Sequence, residues 1–419
     1  MKEYLAKKYA FAVVFIVILY GVAIVNIMSI FEELKKDVKE TVTQSDIKDM
    51  DSFFEISNGL VQTLDATITG NVNERYSYLE LYGLYSKVLG KNEFNGFKIV
   101  KDNNGFLFYG NLWNFKKNED IRTDILAKRV YRMNEKLKEK GSKLYVLSIP
   151  VKSMSEYLEF DQGIPYQDFT SVADDYIYYC DILNIEVVNV DRALKKSDLN
   201  YEEMFFKTDH HWTPMAAFYA YKYLVDELRK DGYELDPDNK FTDISNYNIE
   251  SYEKCWLGTF GINTGANYIN ELESLTILVP KFETSFKYEY RYSGDKHVID
   301  KEGSFEETLL DRKYIHEQAN NNLYSGSAYS TYLNGICTYD HIENKNNPNG
   351  PKVLFIRDSY SSPLGAFFAN VCSEVDMIWA KDYEENIEEL VENNDYDFVF
   401  LATWPENIAD DSFNFYVED

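Results

Sequence analysis

KLYVLSI, residues 143–149, is an almost unbroken apolar run closed by Pro150. A strand carries such a run when both of its faces are buried, as in a parallel sheet covered by helices. Further short runs recur at 186–190, at VLFIR (353–357), at VDMIWA (375–380) and at DFVFLAT (397–403). Segments with helical spacing lie between them. In 123–140, Ile125, Leu126, Val130, Met133 and Leu137 share one stripe, and Gly141 stops the helix. Helices are also expected at 174–183, from Pro214 to about residue 230 before Gly232, at about 363–370 and around 386–392. Strands alternating with helices imply an α/β fold with a mainly parallel sheet and helices on both faces.

Outside that rhythm the pattern changes. YSYLELYGLYSKVLG (76–90) reads as a helix ending at Gly90, and the globular part begins there. FKIV and FLFY flank residues 101–105, whose Asn104-Gly105 pair suits a hairpin turn. Between 236 and 348, aromatic strand-like segments such as FKYEYRY (286–292) alternate with Asn, Gly, Asp and Ser, which reads as a β-rich insertion or a loop-rich lid.

Residues 9–30 carry no charge and are long enough to cross about 30 Å of hydrocarbon as a helix. Lys2, Lys7 and Lys8 precede them and Glu32 and Glu33 follow. That asymmetry keeps the N-terminus cytoplasmic and the rest outside. A cleaved signal peptide is the alternative, since Gly21-Val22-Ala23 is a small-x-small triplet, but the apolar run continues past it to Met28, which suits an anchor. Residues 31–75 read as a stalk or helical linker, with Phe31, Leu34 and Val38 at helical intervals and Phe54, Leu60 and Leu64 more loosely so. The expected plan is an anchor over 1–30, a linker over 31–75 and a globular domain over 76–419.

With 45% hydrophobic residues the chain is globular. Its formal charge of −27 disfavours nucleic acid and an anionic membrane surface as partners. The 35 Tyr and 27 Phe could stack on sugar rings, although core and half-buried sheet positions account for most such residues. Four cysteines (Cys180, Cys255, Cys337, Cys372) stand singly without a C-x-x-C pair, so zinc ligation is unsupported.

Two loops carry chemistry. TDHHWTP (208–214) sets Asp209 two residues before His211, just ahead of a helix with Thr213 as N-cap and Pro214 at N1. FIRDSY (355–360) ends an apolar strand on Ser359, where open α/β sheets keep their sites. Acid, base and hydroxyl are the components of acyl transfer. The N–H groups of Tyr360 and Ser361 would then face a developing oxyanion. Competing readings are a helix-capping serine, a turn aspartate, a metal-binding His210-His211 pair and a histidine that merely fills space. His297, His316 and His341 receive no role.

TDHHWTP followed far downstream by IRDSYSSP resembles the bacterial DHHW protein family, itself similar to alginate O-acetylation proteins of the AlgJ and AlgX type with their SGNH-hydrolase-like domains. KDNNGFLFY, SIPVKSMSEY (with Pro150 and Lys152) and VVNVDRAL add softer matches, so the resemblance covers roughly 76–419 apart from the variable middle. It implies Ser359 as nucleophile, His211 as general base and Asp209 as the acid orienting it. The order along the chain is permuted relative to typical SGNH enzymes. Arg357, Trp212, Tyr360 and Lys152 are the expected substrate-binding residues. The oxyanion donors of the SGNH blocks have no clear counterpart, Asn334-Gly335 being the nearest suggestion.

The resemblance implies an extracytoplasmic, single-pass acetyltransferase acting on a secreted or cell-surface polysaccharide, without metal or cofactor, supplied by a membrane-bound O-acyltransferase partner. An acetylesterase with the same triad and a non-catalytic glycan-binding or assembly protein are the alternatives.

Overall fold

A computed structural model describes residues 2–43, 60–61, 74–110, 120–153, 158–161, 163–320 and 322–417. Most of the expected linker lies outside the described residues. The chain divides into two units, residues 1–82 and 83–419.

In the first unit, α1 (Lys2–Thr43) is one uninterrupted helix. Its stretch Lys8–Asn26 is long and apolar enough to cross a membrane, and none of it is buried within the chain. Val and Ile are mediocre helix formers in water, but hydrocarbon leaves a helix as the way to satisfy every backbone group of a single span.

The second unit is built on an eight-stranded sheet. Its strands are β4 (Lys143–Ser148), β5 (Glu186–Asn189), β8 (Phe286–Arg291), β9 (Ile299–Gly303), β10 (Tyr339–Asn344), β11 (Lys352–Arg357), β12 (Glu374–Ile378) and β13 (Phe398–Ala402). A three-stranded antiparallel sheet holds β1 (Glu93–Phe94), β2 (Ile99–Lys101) and β3 (Leu107–Tyr109), and a separate pair holds β6 (Tyr247–Trp256) and β7 (Glu273–Pro280). Helices after α1 include α2 (Arg75–Val88), which spans the boundary between the units, α3 (Thr123–Glu139), α4 (Thr170–Ile182), α5 (Val190–Lys196), α6 (Pro214–Lys230), α7 (Thr259–Thr264), α8 (Lys313–Asn320), α9 (Ser362–Phe368) and α10 (Ile387–Asn393).

The main sheet runs β5-β4-β13-β11-β12-β10-β8-β9. The first five strands are mutually parallel and the last three antiparallel. Counted from β11, the parallel part has the order 2-1-3-4-5 of a doubly wound sheet, with β4 and β5 arriving early in the chain. Strand alternation divides the core. Tyr145, Leu147, Val353, Phe355, Phe398 and Phe400 face one way, packing with Ala217, Tyr221 and Leu224 of α6 and Phe367 and Phe368 of α9. Leu144, Val146, Leu354, Ile356, Val399 and Leu401 face the other, packing with Leu126, Val130 and Met133 of α3 and Tyr176 of α4. Period-2 burial on both faces is what the unbroken apolar runs require.

The stretch 236–348 does two things. Residues 247–280 form the separate pair, and β8, β9 and β10 extend the main sheet along the edge beyond β12. All four cysteines are free and buried.

Candidate active site

β4, β13 and β11 are neighbours and end almost level, with Leu401 opposite both Val146 and Ile356. Their carboxyl ends therefore deliver three loops to one place. After β11, Asp358 is extended and residues Ser359–Ser361 make a single 3₁₀ turn into α9. After β5 and α5, the chain loops through 205–213 to α6, whose N-cap Thr213 accepts from Ala216 N at 3.1 Å.

The two motif loops meet. His211 Nε2 lies 2.7 Å from Ser359 Oγ, and His211 Nδ1 lies 2.6 Å from Asp209 Oδ1. Ser359 keeps partial access to solvent, whereas Asp209 is fully buried. Asp209 Oδ1 also accepts from His211 N at 2.9 Å, and Oδ2 accepts from the N–H and hydroxyl of Thr259 at 2.7 and 2.8 Å. Burial alone would raise this carboxyl, but His210, His211 and these hydrogen bonds hold it well below the usual carboxylate range. The His211 ring stacks on Tyr329, with centroids 3.9 Å apart. Tautomer, ring plane and direction are thus set on every side, and an imidazole held this way can draw a proton from the serine hydroxyl.

Asp358 anchors the loop that carries Ser359. It accepts from Tyr360 N at 3.1 Å, from Trp404 N at 2.6 Å and from Asn407 Nδ2 at 3.2 Å, the last two reaching over from the end of β13. The N–H of Tyr360 is thereby engaged, and that of Ser361 donates to the Asp358 carbonyl at 3.2 Å. Neither is open toward an oxyanion, contrary to the expectation from sequence, because the tight turn uses both. Asn334 accepts from Lys301 Nζ at 3.0 Å, and its carbonyl takes the Tyr292 and Tyr314 hydroxyls.

The four residues expected at the substrate all sit in the interior. Arg357 is ion-paired with Asp340 and donates to the Cys337 carbonyl at 3.2 Å, so it faces away from Asp358. Trp212 donates through Nε1 to the Tyr360 carbonyl at 2.9 Å and the Tyr329 hydroxyl at 3.1 Å, bracing one motif loop against the other. The Tyr360 hydroxyl donates to the His210 carbonyl, completing the brace. Lys152 donates to the carbonyls of Phe206, Lys207 and Asp209 at 3.1, 3.2 and 2.6 Å. Its ammonium lies 4.7 Å from the centre of the Phe260 ring and 5.1 Å from that of Phe108. Burial brings its pKa down to about 7, against the pull of Asp209, Glu273, Asp102 and Glu406.

Asp209, His210 and His211 hold three ligating atoms within 4.8 Å of one another. Hydrogen bonds already use both oxygens of Asp209 and both ring nitrogens of His211. His210 stacks on Trp404 at 5.0 Å, and burial drives its pKa down to about 3.

Thr259, Tyr329, Asp358 as an anchor, and the turn 404–407 escaped sequence reasoning as parts of this site. The turn was findable, since it follows an evident strand at its carboxyl end. Thr259 and Tyr329 lie in the stretch without periodic pattern.

Residues 99–251 match the family model described as an SGNH hydrolase-like domain, acetyltransferase AlgX. No curated protein matches the chain. Among solved structures, the chain is similar to Bacillus cereus PatB1 with a sulfonyl adduct, at 19% identity and a TM-score of 0.59 over 77% of this chain and 99% of that one. It is also similar to a DHHW family protein from Eubacterium siraeum DSM 15702, at 18% identity and a TM-score of 0.54 over 77% and 98%. At these identities the likeness is one of fold. The second unit is an SGNH-hydrolase-like α/β domain, as the motifs implied.

Proposed function

We propose that the chain is an acyltransferase that moves acetyl groups onto a secreted or cell-surface polysaccharide, with Ser359 as nucleophile, His211 as general base and Asp209 as the residue that orients and stabilises the imidazole. The observation that carries this reading is the unbroken line from Asp209 Oδ1 through both nitrogens of His211 to Ser359 Oγ, at 2.6 and 2.7 Å.

The chemistry follows from that line. His211 Nε2 takes the hydroxyl proton as Ser359 Oγ bonds to the acetyl carbon of a donor, and returns it to the departing group. A sugar hydroxyl then attacks the acetyl-serine, with His211 again receiving the proton and passing it to Ser359 Oγ. Asp209, kept ionised, favours the imidazolium formed in both steps. Arg357, Trp212, Tyr360 and Lys152 serve here as supports of the two loops. With α1 as membrane anchor the domain works outside the cytoplasm, and a multipass O-acyltransferase partner supplies acetyl groups, since acetyl-CoA is confined to the cytoplasm. The same triad with water as acceptor would be an esterase, and adding a glycan acceptor separates the two by product.

PatB1, which shares the fold, carries a sulfonyl adduct in its structure, so a sulfonyl fluoride is a suitable reagent. It is expected to label the full chain at Ser359 alone, and Ser359→Ala and His211→Ala to abolish labelling. Asp209→Asn is expected to slow it by roughly 10³–10⁴-fold. Labelling that survives His211→Ala would overturn the assignment.

A further inference from the structure

The acetyl-serine reading leaves one wall of the site without a task. β13 leaves the sheet between β4 and β11, and its turn is fastened to the nucleophile loop through Trp404 N and Asn407 Nδ2 on Asp358. Glu406 stands in that turn, half-buried. Its Oε2 is shut off from solvent and has no hydrogen-bond partner among the described residues. His210 Nδ1 and Trp404 Nε1 are in the same condition. The residues adjoin: Glu406 follows Trp404 in the same turn, the His210 ring stacks on Trp404 at 5.0 Å with its Nδ1 3.8 Å from Asp209 Oδ1, and Trp404 stacks on Tyr360 at 4.9 Å. A buried polar atom without a partner is costly, so unpartnered atoms on adjoining residues of the two loops beside a reactive serine mark a place that ligand groups complete.

The character of those atoms narrows the ligand. Glu406 is faced by Lys152 beyond β4, Asp358 beyond β11, Tyr109 at the end of β3 and Tyr360 in the nucleophile turn. Burial, opposed by Lys152 and reinforced by Asp358, pushes its carboxyl well above the usual range and so toward the protonated form. A neutral carboxyl both donates and accepts, a neutral imidazole does the same, and an indole N–H donates. Hydroxyl groups match that mixture of donors and acceptors, whereas a phosphate or carboxylate anion brings acceptors and leaves the acceptor atoms of Glu406 and His210 unanswered. The half-buried ring of Tyr109 suits the apolar side of a sugar ring.

We propose that Glu406, with His210 and Trp404, forms the acceptor subsite and holds a hydroxyl of a neutral sugar beside the acetylated Ser359. This rests on the acetyl-serine reading and adds the recognition of its acceptor. The attacking hydroxyl gives its proton to His211 Nε2, its oxygen bonds to the acetyl carbon, the bond from that carbon to Ser359 Oγ breaks, and Oγ regains the proton. Glu406 bonds a neighbouring hydroxyl and determines which sugar is accepted.

The test uses the full chain, 4-nitrophenyl acetate as donor, and cellotriose, xylotriose and chitotriose as acceptors, with products read by mass. Wild-type protein is expected to acetylate at least one trisaccharide. Glu406→Leu is expected to lower the ratio of transfer to hydrolysis by about tenfold or more, the worth of one lost hydrogen bond to a ligand, and to raise the acceptor KM. Glu406→Gln keeps a donor and an acceptor and is expected to stay within about threefold of wild type. Wild-type partitioning in Glu406→Leu, equal loss in Glu406→Gln, or an acetylated Ser359 that passes its group to none of the three would overturn the proposal. Calorimetric titration of the same trisaccharides into Ser359→Ala, with and without Glu406→Leu, needs no chemistry. Binding that depends on Glu406 in a protein whose Ser359 never reacts would sink the acetyl-serine reading and leave the subsite standing. Binding indifferent to Glu406 would sink the subsite.

Discussion

Lys152 shows how one buried side chain can hold a loop in place. Three carbonyls of the loop that carries Asp209 and His211 converge on its ammonium, which is enclosed by Phe106, Phe108 and Phe260. Its pKa of about 7 means that the charge is about half in place at neutral pH and complete below it. The lowered value has a sign for stability. Between about 7 and the ordinary lysine range the unfolded chain holds a proton that the folded one lacks, so the burden of a buried cation is full below 7 and eases as pH rises. Lys152→Met would leave up to three buried acceptors unsatisfied at about 1–3 kcal/mol each. The expected result is a lower melting temperature and sulfonyl labelling of Ser359 slowed by roughly 10²-fold, since a displacement of about 1 Å in a catalytic group is enough for that. Labelling at the wild-type rate would show that the loop holds itself. In the sequence, Lys152 stands out only as the lysine of Ile-Pro-x-Lys, and the family resemblance counts it among the substrate-binding residues. The rings that bury it come from segments around 106 and 260, and no local pattern announces a contact of that range.

At the scale of elements, the hold on Asp209 depends on how closely α7 approaches the motif loop. Phe260 N and Gly261 N donate to the Thr208 carbonyl at 2.9 and 3.2 Å, and Thr259 takes the outer oxygen of Asp209. Gly258 makes this possible. A Cβ there would lie 2.3 Å from the Thr208 carbonyl oxygen and 2.5 Å from the Asp209 Cβ, so backbone would have to move. Gly258→Ala is expected to destabilise by about 1–3 kcal/mol in denaturant titration, the usual cost of overfilling a packed site, and to slow Ser359 labelling more than Thr259→Val does. Thr259→Val removes the hydroxyl bond and keeps the N–H bond; a Gly258→Ala protein that labels faster than Thr259→Val would refute the ordering. Legibility followed periodicity. α6 was read to within a residue, because its apolar stripe, Thr213 cap and Pro214 all agree. α7 (TFGINT) is six residues long with too short a stripe to detect. The expected start of α4 at 174 was four residues late, because Thr170–Ala173 packs through Val172 and Ala173 without a side-chain cap.

For the whole molecule, the parallel half of the sheet was evident because each of its core strands is apolar on both faces. The antiparallel edge was obscure because β8 and β10 alternate buried and half-exposed residues, and β9 has no fully buried residue, a pattern equally compatible with a surface ribbon. The charge has a consequence at this scale too. A net −27 repels itself more strongly in the compact state than in the expanded chain. Raising salt from about 20 mM to about 0.5 M shortens the screening length from roughly 20 Å to roughly 4 Å, so the melting temperature near neutral pH should rise by several degrees. Acidification should act the same way. Burial raises the carboxyls of Asp340, Asp358, Glu273 and Glu406. A raised acid keeps its proton in the folded state after the unfolded chain has lost it, so its burden grows as pH climbs past about 4. His210, lowered to about 3, opposes this up to its ordinary range, and Lys152 begins to oppose it near 7, but they are two groups against these raised acids and a falling net charge. Asp209 loses its stabilising charge only below the ordinary carboxylate range. The melting temperature at low salt is therefore expected to be higher at about pH 5.5 than at about pH 7, with a smaller salt gain at the lower pH. A melting temperature indifferent to salt at neutral pH would mean that local ion pairs, rather than the overall charge, govern the stability of this fold.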